Sequence, residues 1–214
     1  VQPWRIGSNA QLPAAVVGSG NASTRWAWGL FSNANGWPKA PTFFRERFTL
    51  ATSRKIAFSV PASYQEFVME TAGQVLADNA FVVDIQSDRD EELQWLLPAS
   101  VLHVGTTGAE HVVQEMTSQQ VFGPNNRKID PQTGYGSNGV VPIRVGDTPL
   151  FTDASGLRVR TIELGENGRF TARSQNDLAE HITASTVIQT AFAALPDSLH
   201  WGMRQDGRMC CLAY

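Results

Sequence analysis

Hydrophobic and polar residues alternate with period two over much of this chain, most regularly from Phe43 to Leu50, where Phe44, Glu46, Phe48 and Leu50 would share one face of a strand and Phe43, Arg45, Arg47 and Thr49 the other. Asn35-Gly36 supplies a tight turn before it, and Pro38 and Pro41 deny a helical approach. The same alternation predicts strands over 55–60, 79–85, 140–145, 149–153, 157–164 and 186–193. Three hairpins are expected: 101–105 with 110–115 around Thr106-Thr107-Gly108-Ala109, 149–153 with 157–164 around Asp153-Ala154-Ser155-Gly156, and 198–204 with 208–214 around Gln205-Asp206-Gly207. Helical signals are few. Tyr64, Phe67, Val68 and Met69 have the spacing of a helical turn, and Ser174-Gln175-Asn176-Asp177 has a capping pattern that opens a short helix through Ile182.

Many short strands joined by Gly-containing turns, with one short helix, define an all-β fold, either propeller or sandwich. Residues 1–34 are rich in Gly, Ala, Asn and Ser, with Trp4, Trp26 and Trp28 as large anchors. This segment is expected to be loop, with one strand at 25–30. A further loop of Gly, Pro, Asn and charged residues is expected over 122–138, long enough to be a contact surface.

The chain has 214 residues, 42% of them apolar and 17% charged, which suits one globular domain. No apolar run is long enough to span a bilayer, and the chain should be soluble. A net charge of −3 disfavours tight binding of a polyanion. Cys210 and Cys211 are adjacent, would point to opposite faces of a strand, and are expected as free thiols of a protein made in a reducing cytoplasm. The chain opens on Val1 and shows no secretory signal, so either its initiator methionine was removed or it is a piece of a longer chain.

No catalytic, cofactor or metal residues emerge. Gly134-Tyr135-Gly136-Ser137-Asn138-Gly139 matches G-x-G-x-x-G, but strand rather than helix is expected after it, so it is rejected as a dinucleotide site. No G-x-S-x-G elbow occurs. His103, His111, His181 and His200 have no zinc spacing, and only His103 and His111 could meet across a hairpin. The charged run Ser87-Asp88-Arg89-Asp90-Glu91-Glu92 is expected to be a solvated loop or first helical turn rather than an acid/base site. Asn21-Ala22-Ser23 matches a glycosylation sequon that no secretory signal supports. Glu46 stands out as a charge among Phe44, Phe48 and Leu50, and Arg158 or Arg160 is the partner expected for it.

N-G-W-P at 35–38 followed by T-F-F-R-E-R-F at 42–48 opens an ordered series. It continues through Phe58-Ser59, Tyr64 and Phe67, Q-W-L-L-P at 94–98, V-G-T-T-G-A-E at 104–110, T-G-Y-G-S at 133–137, Val145-Gly146-Asp147, Leu150-Phe151, D-L-A-E-H-I at 177–182, and Trp201 with Arg204, Asp206 and Gly207. In that order the series, from Asn35 to Tyr214, resembles the tail nozzle or tail tubular proteins of short-tailed phages and their prophage relatives. The resemblance implies a β-propeller-like body of several antiparallel blades over 35–214, forming part of a full ring in a longer chain, so the final hairpin, 198–214, is expected to lack its next strand. It also implies a non-enzymatic structural subunit of the tail in the virion. Its partners would be other copies of itself in a sixfold ring, portal and adaptor proteins, and tail fibres or spikes, with DNA only in transit and no membrane. A carbohydrate- or receptor-binding module using Trp4, Trp26 or Trp37 is the alternative.

Overall fold

The computed structural model describes residues 30–213 except 34, 72, 86, 88 and 89. The expected strand at 25–30, the sequon and Trp4, Trp26 and Trp28 lie outside the described residues, Leu30 apart. Within them the fold is all-β, with four antiparallel sheets that follow one another along the chain. The first contains β1 (Ala40–Phe44), β2 (Arg47–Ala51), β3 (Lys55–Phe58) and β4 (Phe81–Asp84). The second contains β5 (Leu93–Pro98), β6 (Leu102–Thr106), β7 (Glu110–Gln114) and β8 (Lys128–Thr133). The third is built from β9 (Ile143–Val145), β10 (Thr148–Thr152), β11 (Val159–Leu164) and β12 (Phe170–Ser174). A 3-10 helix, Asp177–Thr183, then leads to a three-stranded sheet of β13 (Val187–Ala193), β14 (Leu199–Arg204) and β15 (Met209–Ala213). Every strand pairs with its neighbours in sequence, so each sheet is a meander. Among the described residues β15 pairs only with β14.

The expected strand from Phe43 to Leu50 is instead a hairpin. Arg45 and Glu46 both adopt left-handed backbone, with φ of 49° and 58°. Phe44 faces Arg47 and Phe43 faces Phe48. Two consecutive positive φ values give a two-residue turn whose twist matches the strands it joins. The usual Asn-Gly or Asp-Gly signal is missing, and the run of period-two alternation hid the reversal. The faces change accordingly. Phe44, Arg47, Thr49 and Ala51 point to one side, while Phe48 and Leu50 point to the other. Glu46 is left exposed at the tip, and neither Arg158 nor Arg160 approaches it.

Both faces of the first sheet are covered. One face carries Phe44, Ala51, Ile56, Phe58, Phe81 and Val83, which meet Leu93, Leu96, Leu102, Val104 and Val113 of the second sheet and Phe122 from the loop after β7. Leu50 and Ala57 on the other face pack under Phe67, Ala80, Leu30 and Phe31. Phe67 is buried by a loop, without the helical turn expected at 64–69; only isolated bridges such as Val60 to Ser63 order that stretch. The second and third sheets join through Trp95, Phe151 and Ile162. Gly105 lies beneath the Trp95 indole, where a Cβ would come within 2.1 Å of the ring. Only glycine allows that approach.

Three strands were not expected: β5, β8 and β12. β8 occupies the middle of the supposed 122–138 loop; Pro131 and its charged neighbours disguised it, yet an outer strand tolerates a proline because one side of its backbone needs no ladder bond. The expected helix after Asn176 is present as 3-10 turns with a break at Ala179, but the capping is different. Asn176 directs its amide at Leu157 O and Thr183 Oγ1, and Ser174 Oγ donates to Asn176 Oδ1 instead of accepting from a helix N–H.

Candidate functional site

The meanders place connections at two opposite strand ends. At one end lie the β2–β3, β6–β7 and β10–β11 turns and the crossings between sheets; at the other lie the β1–β2, β5–β6 and β9–β10 turns and the long β3–β4 and β7–β8 loops.

The crossing end holds a set of buried polar groups. Glu91 precedes β5 by two residues, so period two carries its side chain to the same buried side as Leu93; a bulge after Leu93 then turns Trp95 to the other face. Thr106 Oγ1 donates to its carboxylate at 2.7 Å, and His111 Nε2 lies 3.3 Å from it. Burial alone would raise the Glu91 pKa, but hydrogen bonds from Thr106, Ser87 and His111 outweigh it and hold the group below the ordinary carboxylate range. The charged run is thus not wholly solvated: Arg54 pairs with exposed Asp90, while Glu91 turns inward.

Glu110, at the start of β7, is 2% exposed and receives hydrogen bonds from Thr133 Oγ1 and from Ser137 Oγ at 3.0 Å. Arg160 donates through Nε to Asp153 at 3.3 Å and stacks over the Tyr135 ring at 3.7 Å. These contacts fasten the 134–138 crossing between the second and third sheets. They also give G-Y-G-S-N-G its actual role. β8 precedes it, but β9 follows with no helix, and a Cβ on Gly136 would sit 2.3 Å from Thr107 O. Gly136 allows the crossing to lie against the β6–β7 turn.

Burial holds the Glu110 carboxyl above its ordinary range, against the opposing pull of Thr133, Ser137, the Tyr135 backbone and the Arg160 charge. Because the folded state raises this pKa, the protonated form is favoured on folding. The Glu110 contribution is therefore full below the unfolded carboxylate value, near about 4.5, and is lost as pH rises through the folded value. Across that window the unfolding midpoint in urea should fall more with rising pH in the native chain than in Glu110→Gln, and parallel pH profiles would show that the carboxyl does not titrate with folding.

The histidines do not form a site. Val104 faces His111 and His103 faces Val112, so His103 and His111 project from opposite sides of the same sheet. His103 packs edge-on against Phe170 at 4.9 Å, and burial lowers its pKa to about 4, which leaves it neutral at pH 7. His200 is buried and lowered for the same reason. Among the described residues no three His, Cys, Asp or Glu side chains gather as a metal-holding group. Cys210 and Cys211 are free, on opposite sides of β15. No helix among the described residues is long and apolar enough to cross a membrane.

The turn end carries a cleft of about 770 Å³ between the first two sheets, with Phe43, Arg45, Glu46, Pro98, Val121 and Arg144 among its walls. Its geometry is held from behind. Arg47 is fully buried and donates to Ser59 O at 2.7 Å, Asn79 O at 2.9 Å, Ala77 O at 3.2 Å and Phe122 O at 3.3 Å. Asn126, also buried, donates to Thr117 O and Gln120 O and accepts from Thr117 N, which staples the β7–β8 loop. Arg45 pairs with Glu115 at 2.7 Å, and Arg144 donates to Pro98 O at 3.3 Å. The ordered loop leaves Val121 73% exposed beside the half-exposed Phe43. Such a partly apolar, partly charged recess can seat a protruding segment.

Sequence reasoning singled out none of Arg47, Glu91, Glu110 or Asn126. For Glu91 a signal existed in its period-two spacing to Leu93; for Arg47 and Asn126, whose partners are distant backbone carbonyls, none did.

The observed class is an all-β chain of consecutive antiparallel meanders. Comparison with known protein families gives no match, and comparison with curated proteins gives none either.

Proposed function

We propose that this chain is a non-enzymatic structural subunit of the tail nozzle of a short-tailed phage or prophage, its four sheets serving as consecutive blades of a partial β-propeller. The observation that supports this most is the regular succession of meanders: β1 lies against β5 and β9 against β13, while the second and third sheets meet at their last strands, β8 and β12. Consecutive meanders packed against one another are the building plan of propeller blades. The family resemblance is distributed over the same plan. N-G-W-P enters β1, Q-W-L-L-P is β5, V-G-T-T-G-A-E is the β6–β7 hairpin and D-L-A-E-H-I is the 3-10 helix.

In this role the chain acts by shape and by interfaces, as copies of itself in a sixfold ring in the tail, between portal or adaptor proteins and the fibres or spikes, with DNA in passage only. A ring uses heterologous contacts, in which one patch meets a different patch on the next copy. Alone the chain is expected to be a monomer or weak oligomer. Electron microscopy of the tail with the chain labelled should place it around the axial channel with sixfold symmetry. A threefold distal fibre tip would overturn this and favour receptor binding, for which a glycan array gives the direct readout.

A further inference from the structure

Backbone strain gathers at one corner of the turn-end cleft. Among the described residues only Arg45 and Glu46 in the β1–β2 turn and Ala62 in the β3–β4 loop combine a side chain with positive φ, at 49°, 58° and 57°. The Ala62 N–H donates to Glu46 O at 2.9 Å, so the three lie together. A side chain on left-handed backbone costs energy and persists only where its surroundings impose it. Strand twist imposes part of it here, because a two-residue turn with both φ positive matches the twist of its strands, whereas one with both φ negative splays them. Neither Arg45 nor Glu46 is the Asn, Asp or Gly that such a turn prefers, so strands and residues pull in opposite directions.

The tip of the turn is also held from outside. Arg45 Nε lies 2.7 Å from Glu115 Oε1, just after β7, and Arg45 Nη2 donates to Ser100 O in the β5–β6 turn at 3.1 Å. Among the described residues this is the one ion pair that crosses the cleft. The Arg45 side chain is 47% exposed, so water and ions reach the pair. On either side of the tip Phe44 and Arg47 are buried, and Arg47 is fixed by its four carbonyls, which confines movement to Arg45 and Glu46. We propose that the β1–β2 turn is a sprung ionic latch on the cleft: the Arg45–Glu115 pair holds the left-handed form, and breaking it lets the tip flip to the form with negative φ, which withdraws Arg45 from the second sheet and opens the cleft at its mouth. The input is ionic, since anions compete with Glu115 for the guanidinium and screen the pair. The latch works within one copy and does not depend on the function proposed above.

Amide hydrogen exchange of the full chain, read by NMR, tests this. The Ala62 N–H is the reporter, because its acceptor, Glu46 O, moves with the tip; the Ala80 N–H, which donates to Val68 O from the end of the same loop, is the internal control. Arg45→Gln, Glu115→Gln and a rise in sodium chloride from about 0.05 M to about 1 M should each speed exchange at Ala62 at least about threefold and leave Ala80 unchanged. Glu46→Asn supplies a residue that accepts left-handed backbone, so adding it to Glu115→Gln should return Ala62 towards the native rate. Exchange at Ala62 that is unchanged in both Gln variants would overturn the latch. Equal acceleration at Ala62 and Ala80 would overturn it as well, because the pair would then support the whole loop and not the tip. Acceleration at Ala62 that Glu46→Asn leaves undiminished would show that no strain drives the flip, and the sprung turn would be wrong.

Discussion

Replacing Arg47 with alanine is expected to destabilise the chain by at least about 3 kcal/mol, whereas Glu46→Ala next to it should cost under about 0.5 kcal/mol. The guanidinium is fully buried and answers four backbone carbonyls from three separate segments: Ser59, the 77–79 stretch and Phe122. It also lies 5.2 Å from the centre of the Phe81 ring. Truncation strands those carbonyls in a space too small to hydrate them all, each at about 1–3 kcal/mol, and opens a cavity besides. Burial lowers the Arg47 pKa to about 10, against the opposing charge of Asp78, so the group is still protonated at neutral pH. Arg47→Lys should recover only part of the loss, because an ammonium has three donors and lacks the planar fork that reaches carbonyls in several directions. Urea unfolding with the slope unchanged provides the measurement. A loss below about 1 kcal/mol for Arg47→Ala would mean that water replaces the guanidinium, and the stated role would be wrong.

Phe122→Ala is expected to cost about 3–5 kcal/mol and to free the β7–β8 loop. The ring is 3% exposed and stands nearly perpendicular to Phe44, Phe58 and Phe81, at centroid distances of 5.3, 5.2 and 5.4 Å. It is the point where a loop is pinned into the joint between the first two sheets, and its carbonyl is one of the four that Arg47 holds. Amide hydrogen exchange over 115–127 should rise in this variant beyond what global unfolding accounts for. Val121→Ala, one residue away and mostly exposed, should change stability by less than about 0.5 kcal/mol. Equal effects at the two positions would contradict the anchoring. Because Val121 also lines the cleft, the pair separates stability of the loop from use of its surface.

Local sequence determined the β character of this chain and much of its punctuation. Period-two alternation located β3, β4, β6, β7, β10, β11, β13, β14 and β15, and glycine turns located the hairpins, because side-chain alternation and backbone handedness are properties of a few adjacent residues. Alternation carries no sign of direction, however. A turn of Arg45 and Glu46 with positive φ reads as uninterrupted strand, and only the neighbouring sheet decides which side of each half is buried. That one reversal exchanged the roles of two charges, sending Glu46 to water and Arg47 to the core. β8 and β12, outer strands, and β5 were invisible to alternation, since an outer strand can carry Pro131, Lys128 or Arg173 where a central one would not. The buried acids and the cleft are tertiary in origin. Glu110 meets Thr133 and Ser137 from more than twenty residues away, Arg47 reaches Phe122 across seventy-five positions, and the cleft walls come from four separate turns and loops. No local pattern encodes such meetings, because they depend on how one sheet is laid against the next.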